Sequence, residues 1–471
     1  MKWPTKHLNM IIASPPDDSV SHAALTRFLR ELPDYVVLRN EEDLFANLQR
    51  GGDVDLLVGD LDLAERILIR HLGAPVRIIS SSYVRGYSYD WGHVDLLPTI
   101  EWRGACYLRT EAVLQSRRLS PRGLPVPTIA HEALVSWMTS LLWGGFFKER
   151  YAPAIRRAVE LDGNALRQTL MEIAGKRLGL RLWRAAVDGR PEISANWTRS
   201  LRLAVWWRAC LKSPAGTIQR SAAFVIGALR LRVEPPVPWI AILGPDGPAK
   251  SSLATEVVHR FAACPYGSVK ALHWRSPLVG RPEGNEPVSD PHEAPRRGRF
   301  GASWRLLVLA ADWLARYWAR WAHLRAKGYI LAFDFTYFDV AGDATGDSDR
   351  VESRLGRALW SLLPKPDLVF VPDSAALPLR HRTLDGSTSE RGRQRHAREL
   401  SGHQLPAVHV FNGSSPLSDV ADDIQRVVRA WMLNRSAASL AMDAPATTDP
   451  TARAVGSRDV PGAARGGDRA R

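Results

Sequence analysis

Lys250 and Ser251 close the stretch "GPDGPAKSSL" (residues 244–253), a glycine-rich turn that ends in a cation and a hydroxyl. A buried-type run, "WIAIL", precedes it, and "SLATEVVHRF" follows with apolar residues at helical spacing. Strand, glycine turn and helix in that order let backbone N–H groups and the positive helix end surround a phosphate. Lys250 would meet the β- and γ-phosphates as a point charge and Ser251 would ligate Mg²⁺. Gly244, Asp246, Gly247, Ala249 and Ser252 complete the loop. Ala249 stands where the pattern G-x-x-x-x-G-K-[ST] has glycine. If that position needs positive φ, its Cβ costs on the order of 1 kcal/mol; if it is already helical, the methyl merely crowds the phosphate.

A second set of reactive side chains lies far upstream. "GGDVDLLV" sets Asp53 and Asp55 two apart on a strand, so both carboxylates share one face. Some forty residues on, "WGHVDLLPTIEWRG" places Asp95 on another strand. Three convergent carboxylates are what Mg²⁺ ions need to hold a triphosphate and a nucleophile. His22 and His93 read as ordinary surface or core histidines.

The elements that must position these groups follow from the patterning. "DYVVLR", "DVDLLVG", "VRIIS" and "HVDLLPTI" read as strands, while "SHAALTRFLREL" and "DLAERILIRHL" carry helical periodicity. From "PTIAHEALVSWMTSLLW" onward the text is helical, giving residues 1–196 an α+β unit with a helical subdomain. Residues 197–236 are basic and amphipathic and end in "EPPVP", the pattern of a helical connector whose tryptophans pack onto neighbours. A unit at 237–435 adds the strands "YILAFDF" and "DLVFVPD". Its buried, non-alternating strands predict a parallel sheet covered on both faces. Between them, Trp304, Leu307, Val308, Ala311, Leu314, Trp318 and Trp321 share a helical face that reads as core. The Ala/Pro/Gly/Arg-rich residues 436–471 cannot build a core and read as a disordered tail.

Composition bounds the function classes. Hydrophobic residues at 45% and charged residues at 24% of 471 are those of a globular chain with two or three domains. Three scattered cysteines, Cys106, Cys210 and Cys264, form neither a disulfide framework nor a zinc spacing, which points to a reducing, cytoplasmic setting. No apolar run opens the chain as a secretion signal, and none is long enough to span a bilayer. The net charge of +14 favours polyanions, but no basic stretch interleaves aromatics as a nucleic-acid platform would. Nucleic acid is therefore not the favoured partner, and a homodimer is left open.

Residues from about Trp239 to Arg435 resemble the thymidylate kinase family, in the form carried by bacterial proteins with a second, N-terminal domain. "GPDGPAKSSL" stands for that family's loop, and "LHWRSPLVGRP" looks like its HxRP segment. "FDFTYFDV" sits where the family has a strand ending in Asp-Arg-Tyr, and "SERGRQRHAREL" resembles its lid. The resemblance implies a three-layer P-loop fold, ATP and Mg²⁺ as cofactors, and γ-phosphoryl transfer to a nucleotide or phosphosugar. It implies catalytic roles for Lys250, Asp334, Arg393 and Arg395, with Arg275 and Arg380 at the acceptor. Phe335 and Thr336 replace the family's arginine and aromatic, which leaves the natural acceptor open.

Residues from about Leu25 to Ala186 resemble the polymerase-beta-type nucleotidyltransferases, on "VVLRN", the D-x-D strand, Asp95 and the helices that follow. Arg39-Asn40 stands where that family has a Gly-Ser turn. The resemblance makes Asp53, Asp55 and Asp95 metal ligands. The expectation for the whole is an ATP-dependent phosphotransferase fused to a nucleotidyltransferase-like domain. Two alternatives stand beside it: a catalytically weak ATP-binding regulatory protein, and a nucleotidyltransferase acting on a sugar or an RNA end.

Overall fold

The computed structural model describes residues 18–39, 44, 48, 52–192, 194–243, 248–262, 264–274, 299–335, 359, 361–373, 407–412 and 415–443. The first half runs α1 (Asp18–Glu31), β1 (Tyr35–Val37), β2 (Asp53–Val58), α2 (Leu61–Leu72), β3 (Arg77–Ser80), β4 (Arg85–Tyr89) and β5 (Gly92–Leu97). Next come the hairpin β6 (Ile100–Trp102)–β7 (Ala105–Leu108), α3 (Thr110–Gln115) and the short pair β8 (Arg118–Leu119)–β9 (Pro125–Val126). The helices α4 (Ile129–Thr139), α5 (Ala152–Ala174), α6 (Lys176–Val187), α7 (Ala195–Lys212) and α8 (Pro214–Val233) complete it. The second half holds β10 (Trp239–Ile242), α9 (Pro248–Ala262), β11 (Ser268–His273), α10 (Arg299–Arg316), a π-helical turn at Tyr317–Trp321 and α11 (Ala322–Ala326). It ends with β12 (Tyr329–Phe335), β13 (Leu368–Asp373), β14 (Val408–Asn412) and α12 (Leu417–Asp443).

Five strands form the N-terminal sheet in the order β1-β2-β5-β4-β3. β2 and β5 are parallel and the other pairings antiparallel. Alternation sorts the two faces. Val54, Leu56, Val58, Val94 and Leu96 pack with α1 and α2, while Leu57 points the other way, toward α4–α7. Asp53 and Asp55 share the parity of Leu57 and so face the helical subdomain. Strand β4 is absent from the sequence-predicted set. Gly86 and the Tyr87-Ser88-Tyr89 alternation in "RGYSY" give it no apolar run.

The second sheet is parallel throughout, in the order β11-β12-β10-β13-β14. Ile240, Ile242, Ile330 and Phe370 pack with α9 and α12 on one face. Trp239, Leu331 and Phe333 pack with Trp313, Tyr317 and Trp321 on the other. This is the α/β arrangement expected from non-alternating strands.

Three expectations are corrected. The buried face of α10 and the π turn is Leu309, Ala310, Trp313, Tyr317 and Trp321, whereas Trp304, Leu307 and Trp318 are exposed. The wide apolar stripe thus has two sides, and only one meets the sheet. Helix α12 continues to Asp443, past the expected start of a tail at 436, because Ser436 is buried and its Oγ donates to the Val76 carbonyl at 3.1 Å. The stretch 197–236 is a two-helix hairpin rather than a plain connector: Leu201, Val205 and Ala209 of α7 belong to the helical-subdomain core, yet Trp206 and Trp207 are exposed rather than packed.

The halves dock through polar contacts. Arg429 on α12 donates twice to Asp90, at 2.9 and 2.6 Å, and Arg77 on β3 donates to the Gly328 carbonyl at 3.1 Å. Among the described residues no helix is long and apolar enough to cross a membrane, and the three cysteines are free.

Candidate functional site

Parallel pairing of β2 with β5 sets Asp53 opposite His93 and Asp55 opposite Asp95. The side chains of Asp53, Asp55 and Asp95 consequently converge, offering three carboxylate oxygens within 4.8 Å of one another. Asp53 is exposed, Asp95 half-buried and Asp55 buried. Burial pushes the Asp55 carboxyl up to about 6; Asp53 and Asp95 add repulsion, and Arg39 works against both. Arg39 follows β1 and donates from Nε to Asp55 Oδ2 at 2.9 Å, with Nη2 on the same oxygen. Its Nη1 donates to the Tyr151 hydroxyl at 2.9 Å, which ties the pair to the helical subdomain.

His93 takes part in this cluster, contrary to its reading as an ordinary histidine. Its Nε2 lies 2.9 Å from Asp95 Oδ1 and its Nδ1 lies 2.8 Å from Ser88 Oγ. The signal was present: positions 93 and 95 share a face on one strand. Across the ladder, β4 puts Gly86 opposite Asp95. A Cβ at Gly86 would stand 2.6 Å from Asp95 Oδ1 and 3.0 Å from His93 Nε2, so only glycine leaves room for the pair.

Three hard oxygen donors with an imidazole and a guanidinium beside them fit a divalent cation such as Mg²⁺, which binds through carboxylates and keeps several waters. Asp53, Asp55 and Asp95 would hold it, and a cation there would offset the burial, and the lesser repulsion from Asp53 and Asp95, that raise Asp55. An outer partner such as His93 orients a ligating carboxylate.

The second candidate site lies where β10 ends. Topology favours that place. The chain leaves β10 for β11 and β12 on one side and then crosses to β13 on the other, so the carboxyl end of β10 is the switch point where ligands sit in open parallel sheets. Lys250 and Ser251 occupy the first turn of α9, directly after the glycine-rich sequence. Ala249 is itself helical there, so the positive-φ cost does not arise. Ser251 Oγ donates to Asp334 Oδ2 at 2.5 Å, and His273 Nδ1 lies 2.9 Å from Asp334 Oδ1. Asp334 is buried near the end of β12, and His273 ends β11 after a register shift between Leu272 and His273. That irregularity lets His273 reach a carboxylate on the neighbouring strand, a contact that sequence spacing does not disclose. Trp274 turns inward instead, its Nε1 donating to Asp312 Oδ2 at 3.1 Å.

Hydroxyl, carboxylate and imidazole at a helix start form a polar edge suited to Mg²⁺ and phosphate oxygens. Ser252 is exposed one position on. Gly244, Asp246, Gly247, Arg275, Arg380, Arg393 and Arg395 lie outside the described residues. No protein-family model matches the chain, and no curated protein matches it.

Proposed function

We propose that the chain is an ATP- and Mg²⁺-dependent phosphotransferase of the nucleoside monophosphate kinase type, acting at the carboxyl end of β10. The observation that carries this reading is the Ser251–Asp334–His273 set, assembled at the switch point of a parallel sheet immediately after a P-loop sequence. In phosphoryl transfer the protein contributes position and positive charge and little covalent chemistry. Mg²⁺, when bound, would supply charge neutralisation at the terminal phosphates. Ser251 would offer it an oxygen, Asp334 fixes the Ser251 hydroxyl, and His273 holds the second oxygen of Asp334. Lys250 draws the γ-phosphate into register. The family resemblance gives Arg275 and Arg380 to the acceptor, a nucleotide or phosphosugar, and Arg393 and Arg395 to the transferring group. Phe335 in place of an arginine favours an acceptor other than an ordinary nucleoside monophosphate.

A screen of nucleoside monophosphates and phosphosugars for ADP release, run on the wild type and Lys250→Ala, tests the reading. Release that Lys250→Ala abolishes supports it. Binding of ATP without release for any acceptor would favour a regulatory ATP-binding protein, and no ATP retention at millimolar Mg²⁺ would remove the reading.

A second reading rests on the carboxylates of the first half. Asp53, Asp55 and Asp95 within 4.8 Å favour divalent-metal nucleotidyl transfer to a sugar or an RNA end. Transfer of a labelled nucleotide that Asp53→Ala abolishes and Lys250→Ala spares would support that second activity. A steep fall of affinity with salt would single out RNA.

A further inference from the structure

Helices α7 and α8 form an antiparallel hairpin joined at Ser213, and each has one face that is exposed and that no described element covers. On α7, Leu203, Trp207 and Leu211 stand at i, i+4 and i+8 and are 72%, 61% and 66% exposed. On α8, Ile218, Ala222, Ile226, Leu229 and Val233 form a stripe along the whole helix, with Ile226 65% exposed. Trp206 Nε1 donates to Ser221 Oγ at 3.4 Å across the seam, so the two stripes flank one line of contact.

The inner faces are fixed. Leu201, Val205 and Ala209 of α7 are buried in the helical-subdomain core. On α8, Arg220 Nε donates to the Gly104 carbonyl at 3.2 Å and Ser221 Oγ to the Arg103 carbonyl at 3.1 Å. Phe224 packs on Tyr83 and Trp143, with ring centroids 6.3 and 5.9 Å away. Gly104, at φ 90°, is what admits α8 so closely: a Cβ there would meet the Ser221 amide nitrogen at 2.3 Å. The outward stripes are therefore presented by a rigid body.

Charge selects what covers them. From Ala195 to Val233 there are seven Lys or Arg and no Asp or Glu. Exposed Lys212 stands at the turn of the hairpin, and exposed Arg199 and Arg230 at its open end, where Arg230 also lies 3.8 Å from Glu234 just past α8, so cations bracket the apolar centre. A second copy of the chain would set like charges against like. Tryptophan and aliphatics on one face with cations at the margins match an anionic bilayer surface, where the apolar face enters the headgroup boundary and long cationic side chains reach lipid phosphates. Neither helix is long and apolar enough to cross the bilayer.

We infer that the α7–α8 hairpin seats this protein flat on an anionic membrane surface, with Leu203, Trp207, Leu211, Ile226 and Leu229 inserted and Arg199, Lys212 and Arg230 at the lipid phosphates.

The test is flotation of the full chain with vesicles of phosphatidylcholine alone or of equimolar phosphatidylcholine and phosphatidylglycerol, at low and high salt. Binding to the mixed vesicles that weakens with salt is expected. Lys212→Glu should lower the partition coefficient about fivefold or more, and Trp207→Glu or Ile226→Glu about tenfold. All three positions are exposed, so thermal melts of the variants should match the wild type; Lys212→Glu stands as the second readout if an apolar replacement alters the melt. Equal flotation with both vesicles, or none with either, overturns the inference. So does a stable dimer in sedimentation that Ile226→Glu dissociates, because the hairpin's occupant is then a second copy.

Discussion

The two halves of the chain bring their polar groups together around parallel strands in different ways. Strands β2 and β5 carry Asp53, Asp55 and Asp95 on the sheet face, pointing at helices, with Arg39 as the counter-charge. Lys250 and Ser251 instead lie at the start of α9, where Ser251 meets Asp334 of β12 at the carboxyl end of the second sheet. In the first region strand alternation and the parallel register of β2 on β5 set the spacing, and the price is a buried carboxyl held out of its ordinary range. In the second, three different elements must meet: the start of α9, the end of β12 and the shifted end of β11. Clustered carboxylates suit a cation in the first region, whereas the second sets a hydroxyl, a carboxylate and a lysine at a helix start, which suits Mg²⁺ together with phosphate.

Lys250→Ala would break the contrast most severely. Phosphoryl transfer, read as ADP release, is expected to fall about a hundredfold or more, while Mn²⁺ binding to the carboxylates, read by calorimetry, is unchanged. A joint loss would mean the two regions form one site. Arg39→Met comes next. It leaves Asp55 buried beside two like charges, and urea unfolding should reveal a loss of about 3 kcal/mol, part of which millimolar Mg²⁺ restores. An unaltered midpoint would show that the guanidinium does not balance the carboxylates.

Acidity should divide the regions more gently. The folded value of Asp55, about 6, lies above its ordinary 3.8, so the folded state takes up a proton between those values. Stability is therefore gained as pH falls through about 6 and lost as pH rises through it. Relative to Asp55→Asn, the wild type should lose on the order of 2 kcal/mol between pH 4 and pH 7, as scored by thermal melts without metal. A flat difference would show that burial does not raise the Asp55 carboxyl. The mildest probe is Gly86→Ala. Its methyl displaces Asp95 and His93, and metal affinity at the carboxylates should weaken about tenfold while ADP release stays at the wild-type rate.

Legibility followed the range of the forces involved. The D-x-D alternation and the strand–loop–helix order are local, and they pointed to Asp53, Asp55, Lys250 and Ser251 from spacing alone. His93 escaped notice although it shares a face with Asp95, because nothing local distinguishes a histidine beside a carboxylate from one facing solvent. Arg39 was read as a missing phosphate turn; its tie to Asp55 and Tyr151 spans far too much chain for any local pattern. The tryptophan-rich stripe of α10 misled because apolarity says that a helix has something to cover, not which of two wide faces is covered.

What the amino-acid order determined by itself is the inventory and its local placement: which strands are buried on both faces, which residues share a face, and where a helix follows a glycine turn. These depend on backbone periods of two and 3.6 residues, and neighbours in the chain suffice to fix them. Tertiary structure decided the pairing of Asp55 with Asp95 and Arg39, the reach of His273 to Asp334, and the outward turn of Leu203, Trp207 and Ile226. Each depends on register or docking between elements far apart in sequence, where burial against a particular partner outweighs any preference of the residue itself.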